Sequence, residues 1–421
     1  MLIVVNIMVG VLTSPQAQNK SKILSPSAVR KTHKFLTALF YIKKTYFLAK
    51  SYWRYLLIFL ENTDLLSSKI EGIFMLLTGL LCGILLGFVM QRGRFCITGA
   101  FRDMYVTKNN KMFVALLLAI TVQSIGFFLL KEIGVLNVDP AENFAFLAVI
   151  IGAFVFGIGI VLAGGCATGT WYRAAEGLVG SWVALFTYML LSAIRRTGPL
   201  GEFNKSLRSI NIEQRNIYDT FGISPWWLVA LLTLVTAFYV YKHLSKPSAK
   251  VAALKPKKTG LAHLLFEKRW HPFFSAVLIG LIALAAWPLS VATGREFGLG
   301  ITGPSANIMQ FLVTGDGKFI NWGVFLVLGI FIGSFIGAKA SNEFRVRVPD
   351  TTTILRSGLG GILMGIGATL AGGCSIGNGL VETAFFSWQG WVSLPLMILG
   401  TWVAAYFTII RPQRLKLAKA S

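Results

Sequence analysis

Nine apolar stretches follow one another along this chain, near residues 73–91, 113–130, 145–163, 178–194, 224–241, 273–290, 321–338, 357–371 and 389–410. About 20 apolar residues cross a bilayer as one helix, and in lipid a helix satisfies its own backbone. The succession predicts an all-α polytopic membrane protein with about nine transmembrane helices, and it excludes a soluble enzyme or a secreted disulfide scaffold. Composition agrees: 55% of residues are hydrophobic and 14% charged, against about 25% charged in soluble domains. Four further stretches, 92–104, 164–176, 294–312 and 372–385, are too rich in glycine and polar residues to span, and short re-entrant helices are expected there.

Loop charge predicts the orientation. Segments 92–112, 242–270, 339–356 and 411–421 hold 21 Lys and Arg, whereas 131–144, 195–223 and 291–320 hold 8. Basic residues accumulate on the cytoplasmic side, so the first set is expected inside, together with the tail 413–421. The net charge of +23 follows from this pattern, which leaves no basic stripe to suggest nucleic acid. Topology alone explains the basic loop 242–270, which would also suit anionic lipid or an acidic partner.

Residues 1–72 differ from the rest, with ten Lys and Arg against three acids. By the charge rule they would lie on the wrong side of the membrane. Two readings stay open: a disordered or interfacial basic extension, or sequence ahead of a start at Met75. No chemistry is assigned to it.

The chain repeats itself. Leu162-Ala163-Gly164-Gly165-Cys166 recurs as Leu370-Ala371-Gly372-Gly373-Cys374, and Gly93-Arg94-Phe95-Cys96-Ile97-Thr98-Gly99 is echoed within Gly294–Gly303, where Ile301-Thr302-Gly303 matches Ile97-Thr98-Gly99. Residues 73–194 form a first repeat and 271–412 a second, with 195–270 as a connector carrying the fifth span. Four spans per repeat and one between them make the second half enter from the opposite side. Such inverted repeats place a transported substrate near the midplane, where broken helices meet.

The repeated segments carry the chemistry. Paired glycines break a helix, and a restarting helix aims its N–H groups and positive dipole end into the gap, which suits an anion. Gly164, Gly165, Thr168, Gly169 and Thr170 belong to one segment; Gly372, Gly373, Ser375 and Asn378 belong to its mate, with Ser375 and Asn378 as expected donors. Arg92, Arg94 and Thr98 flank Cys96 in the third. Three of the four cysteines, Cys96, Cys166 and Cys374, fall in these segments. Buried cysteine is often a small hydrophobe, the reading adopted for Cys82. Repetition favours a path of soft thiols suited to a sulfur-bearing anion. Arg173, Glu176 and Glu382 are read as interfacial charges after the re-entrant turns, and Arg102 and Asp103 as a loop pair. The four histidines lie in basic loops or at span ends. No cofactor, metal site or Walker motif is indicated.

At these residues, Gly93–Asp103, Leu162–Gly177, Leu370–Gly379 and the loop Phe266–Pro272, the chain resembles the YeeE/YedE family of sulfur transport proteins from about 75 to 414. The resemblance implies thiosulfate uptake for sulfur assimilation across a bacterial inner membrane. It implies nine spanning helices with short re-entrant ones in an hourglass, the thiols of Cys96, Cys166 and Cys374 handing the anion along by S–H···S contacts. It also implies a small cytoplasmic TusA-like sulfurtransferase as partner. YedE-type relatives are linked to selenium metabolism, so another sulfur or selenium oxyanion is the alternative substrate. A membrane-embedded sulfurtransferase using a cysteine persulfide ranks lower, because no general base stands near a thiol; the expectation is a transporter, not an enzyme.

Overall fold

A computed structural model describes residues 64–139, 143–245 and 259–420. The expected extension 1–72 therefore lies almost wholly outside the described residues, as does 246–258 of the basic loop. From Gly72 onward the described residues belong to one compact unit. The longer helices in chain order are α1 (Asp64–Gly93), α2 (Ile97–Val106), α3 (Lys111–Glu132), α4 (Phe146–Leu162), α5 (Ala167–Ala175), α6 (Val179–Arg196), α7 (Gly201–Ser209), α8 (Pro225–Leu244), α9 (Pro272–Val291), α10 (Thr302–Thr314), α11 (Trp322–Ala340), α12 (Thr351–Leu370) and α13 (Trp388–Ala405), with short turns of helix at Ile217–Phe221, Gly260–Ala262, His263–Glu267 and Gly317–Phe319. A π-helical turn, Gly377–Glu382, precedes α13, and Tyr406–Ile410 and Arg411–Ala420 prolong it.

Among the described residues, eight helices are long and apolar enough to cross a membrane, and each stands at an expected span. The ninth expected span, 178–194, is α6, which is helical over 18 residues but less apolar than the others. The reason lies on its inner face. Ser181, Tyr188, Ser192 and Arg195 are all buried there. Tyr188 donates to Thr302 Oγ1 of α10 at 2.8 Å and Arg195 to Thr369 Oγ1 of α12 at 3.2 Å. A helix lined by protein need not be apolar all round.

In lipid, helices gain little from the hydrophobic effect and associate through close packing. Glycines four residues apart make this possible: a Cβ on Gly83 or Gly87 of α1 would strike the backbone of Leu326 or Ile330 in α11, and one on Gly329 or Gly333 would strike Leu80 or Ile84. The antiparallel pair α4 and α12 meets in the same way. There Gly360 faces Ala163 and Gly367 faces Gly152. Since α12 has 20 residues, about 30 Å of rise, and Gly360 lies near its middle, α4 ends at mid-depth. The Gly-Gly-Cys turn after it therefore lies inside the protein.

Two ends can be told apart by their contacts. At one, buried Arg92 donates to the carbonyls of Leu265 (2.8 Å) and Lys268 (3.1 Å), and Arg347 N–H donates to Gly177 O at 2.9 Å. This is the end with the many basic loops. Arg102 and Asp103 form the expected pair there, at 2.8 Å. At the other end Ile212 meets Phe144 and Ser387 meets Asn216, and Arg208 donates to Leu370 O at 3.0 Å.

Candidate functional site: buried thiols between two cavities

Each Gly-Gly-Cys segment turns in the same way. Gly164 and Gly372 adopt φ of +70° and +77°, the left-handed conformation that ends a helix and that a side chain disfavours. The chain then restarts. Cys96 and Cys166 occupy the positions just before α2 and α5, and each sulfur accepts the N–H of the glycine three residues on, Gly99 and Gly169, at 3.4 Å. A thiol thus stands where a serine or aspartate usually caps a helix, at the positive end of the helix dipole. Cys374 opens the π-turn instead, its carbonyl accepting from Asn378 N–H at 2.8 Å.

All three thiols are free and buried. Cys96 and Cys374 both lie within electrostatic reach of Cys166, and the Ser375 hydroxyl approaches its sulfur. Next to Cys96 and Cys166 stand buried hydroxyls without a hydrogen-bond partner, Thr98 and Thr168, whereas Ser375, next to Cys374, is turned toward Cys166. A buried unpaired hydroxyl costs about 1–3 kcal/mol. Thr98 and Thr168 thus keep a polar group beside Cys96 and Cys166 in the chain, and Ser375 turns its own toward Cys166. Gly165 and Gly373 keep their turns tight, because a Cβ on the first would press on Gly169 and one on the second would strike the Asn378 amide.

Two cavities approach this locus from the two ends of α12. One, of about 620 Å³, is walled by Arg196, Arg295 and Thr302 and reaches Gly372, Gly373 and Cys374. The other, of about 430 Å³, lies at the basic-loop end and reaches Thr98, Gly164 and Arg173, with Arg347 and Arg356 on its wall. Cys166 is fully buried and lines neither.

Several expected roles change. Asn378, expected as a donor to an anion, is fully engaged in holding its turn: it donates to Ala371 O (2.8 Å) and Ser393 Oγ (3.0 Å) and accepts from Gln389 (3.1 Å). The Thr170 hydroxyl donates to Ala167 O at 2.7 Å, which leaves Thr168 as the available hydroxyl of that segment. Arg94 is ion-paired with Glu176 and Glu343, both at 2.7 Å, and Arg92 lies 3.6 Å from Glu343. These carboxylates neutralise the arginines expected to attract an anion. Glu176 and Glu382, expected after the re-entrant turns, are buried in protein. Arg173, half-buried on the wall of the basic-loop cavity, reaches the thiols: its guanidinium lies 3.5 Å from Cys96 Sγ, donates to Gly164 O and packs over the Tyr172 ring. A signal was available, since Arg173 follows Cys166 by seven residues, two helical turns along one face. Cys82 sits buried in α1, as expected of a packing residue.

Comparison with known proteins fits this arrangement. The profile of the family described as sulphur transport matches residues 92–403, which include all three thiol segments. The thiosulfate transporter TsuA of Escherichia coli is 64% identical over 340 residues, 81% of this chain and 96% of that protein. The TsuA of Spirochaeta thermophila is 32% identical over 354 residues, 80% of this chain and 100% of that protein. A probable transporter of E. coli, YedE, is 42% identical over 158 residues, 38% of each chain. With most of its length matched by the profile and by two full-length relatives, this chain belongs to the sulphur transport family.

Proposed function

We propose that this chain carries thiosulfate across the bacterial inner membrane for sulfur assimilation, the anion passing Cys374, Cys166 and Cys96 in turn. The reading rests on one arrangement: three free buried thiols with hydroxyls at Thr98, Thr168 and Ser375, between two cavities at opposite ends of the protein. The thiols are polarizable weak donors that suit the terminal sulfur of thiosulfate, while the hydroxyls and the helix starts at Cys96 and Cys166 suit its oxygens. The names of both TsuA relatives support the substrate. Passage by S–H···S contacts forms and breaks no covalent bond.

The same reading sets the basic-loop end and the carboxyl terminus in the cytoplasm and treats the two halves as inverted repeats forming an hourglass. It makes the cationic mouth at Arg347 and Arg356 the exit toward a TusA-like sulfurtransferase. The test is growth on thiosulfate of a strain that lacks its own sulfate and thiosulfate uptake. Growth is expected with the unaltered chain and none with Cys166→Ala at equal membrane level. Growth with both would remove the relay. Growth with neither, even with the sulfurtransferase co-expressed, would overturn the substrate; competition of labelled uptake by sulfite and selenite would then identify the oxyanion.

A further inference from the structure

Neither Cys96 nor Cys166 lines the basic-loop cavity, although Thr98, Gly164 and Arg173 do. Arg173 stands at that boundary. It is half-buried in the cavity wall, and its guanidinium reaches inward to within 3.5 Å of Cys96 Sγ. Nη1 donates to Gly164 O in the left-handed turn, and Nε donates to Tyr172 Oη at 3.2 Å. Cys96 and Cys166 both lie within electrostatic reach of this charge. A Cβ on Gly165 would meet Nη1 at 3.7 Å, so the guanidinium fills the space beside the turn that carries Cys166.

The three acceptors differ in strength. Carbonyl and phenol oxygens hold an N–H well, whereas thiol sulfur is a weak acceptor. The contact that covers Cys96 is therefore the weakest of the three. A second partner stands close by. Glu176 follows Arg173 by three residues, a neighbouring place on the helix surface, and lies within electrostatic reach of it. Arg94 Nη1 approaches both Glu176 oxygens, at 2.7 and 3.0 Å. A carboxylate has about four acceptor positions, so a second guanidinium can join. Arg173 thus has two sets of partners, one across the thiols and one nearer the basic-loop end.

We propose that Arg173 is a side-chain gate between the thiols and the basic-loop cavity, shut on Cys96 and Gly164 and open when the guanidinium turns to Glu176. When shut, it screens Cys166 from that cavity. It also keeps a cation at the narrow point, which repels protons and metal cations. The gate deepens the thiosulfate reading by giving its path a closed state, and it rests on that reading only where uptake is measured.

Thiol labelling of the purified full chain tests the gate without transport. N-ethylmaleimide is the probe, and each cysteine peptide is followed by mass spectrometry. Arg173→Gln should raise the labelling rate of Cys166 about tenfold, the weight of one charge-assisted hydrogen bond. Arg173→Lys should recover part of the protection. Cys82, in the α1 packing surface, and Cys374, on the other cavity, should keep their rates. An equal rise at Cys82 would mean general loosening and would overturn the gate.

Because Arg173→Gln also loses the bond to Gly164 O, a milder variant stands beside it. Tyr172→Phe removes the phenol that holds Nε and keeps the ring, and it should raise the Cys166 rate several-fold. Glu176→Gln should slow that rate instead, since the open position loses its charge, whereas loosening would raise it. An unchanged Cys166 rate in Arg173→Gln and Tyr172→Phe would overturn the gate, as would a rise in Glu176→Gln; if Arg173→Gln yields no folded protein, Tyr172→Phe decides alone. Unmoved labelling with uptake intact would sink the gate and leave the substrate assignment. Faster labelling in a chain that takes up no thiosulfate would uphold the gate and sink the substrate assignment.

Discussion

Gly93–Gly99 and Gly294–Gly303 begin with the same two residues, Gly-Arg, and end with the same three, Ile-Thr-Gly, yet their arginines do opposite work. Arg94 takes a left-handed backbone, φ 48°, and is clamped by Glu176 from the end of α5 and Glu343 from the loop after α11. It ties three parts of the basic-loop end together. Arg295 has no carboxylate partner among the described residues and donates instead to Ser290 Oγ and Gly298 O. One arginine fastens separate parts of the chain, and the other is braced by its own loop and the end of α9. Where the first segment sets a thiol, the second sets a glycine that admits the guanidinium. The two ends of the path therefore differ chemically although the repeat makes them look alike.

The comparison can be broken or sharpened by substitution. The largest effect is expected at the thiol that has no counterpart: Cys96→Ala should abolish uptake at normal membrane levels, whereas Gly300→Ala, at the matching position, should only weaken it. Equal loss at both positions would mean that the two segments do the same work. Next comes stability. Arg94→Gln leaves Glu176 buried, at 5% side-chain exposure, without its cation. A fully buried broken pair costs about 3–5 kcal/mol; Arg94 is one-third exposed, so screening reduces this to about 1–2 kcal/mol. A lower thermal midpoint in detergent is expected, largely restored by adding Glu176→Gln. Arg295→Gln, which breaks no ion pair among the described residues, should lower the midpoint less, and an equal fall in both variants would erase the distinction.

A smaller effect separates the polar side chains of the thiol segments. Thr98→Val removes an unpaired hydroxyl at constant shape, which is close to neutral for folding, and should lower uptake several-fold. Asn378→Ala removes three hydrogen bonds and should lower the thermal midpoint first. The smallest effect is expected for Cys82→Ala, nearly silent in labelled uptake, because that thiol lies in the α1 packing surface away from both cavities.

Much of this architecture was legible in the residues. Span positions follow from apolar length, and the breaks follow from glycine pairs, since both are local consequences of backbone chemistry. The eighteen residues of α6 were legible as a span although they fall short in apolarity, because their polar groups are spaced along one helical face and meet α10 and α12. The thiol segments stood out because they repeat. Asn378 was misread because its partners, Ser393 and Gln389, come from α13, beyond the segment in which it was judged.

By itself the sequence determined the helices, their order and the turns at Gly164 and Gly372, because hydrophobic length and backbone freedom act over a few residues. Only the tertiary structure decided which of those side chains are spent and which remain available. Arg94 and Arg295 cannot be distinguished by their neighbours in the chain. Glu176 and Glu343 lie 82 and 249 residues from Arg94, and Arg196 reaches the Arg295 wall from another helix altogether. Coulomb interactions depend on distance in space, and folding alone sets that distance.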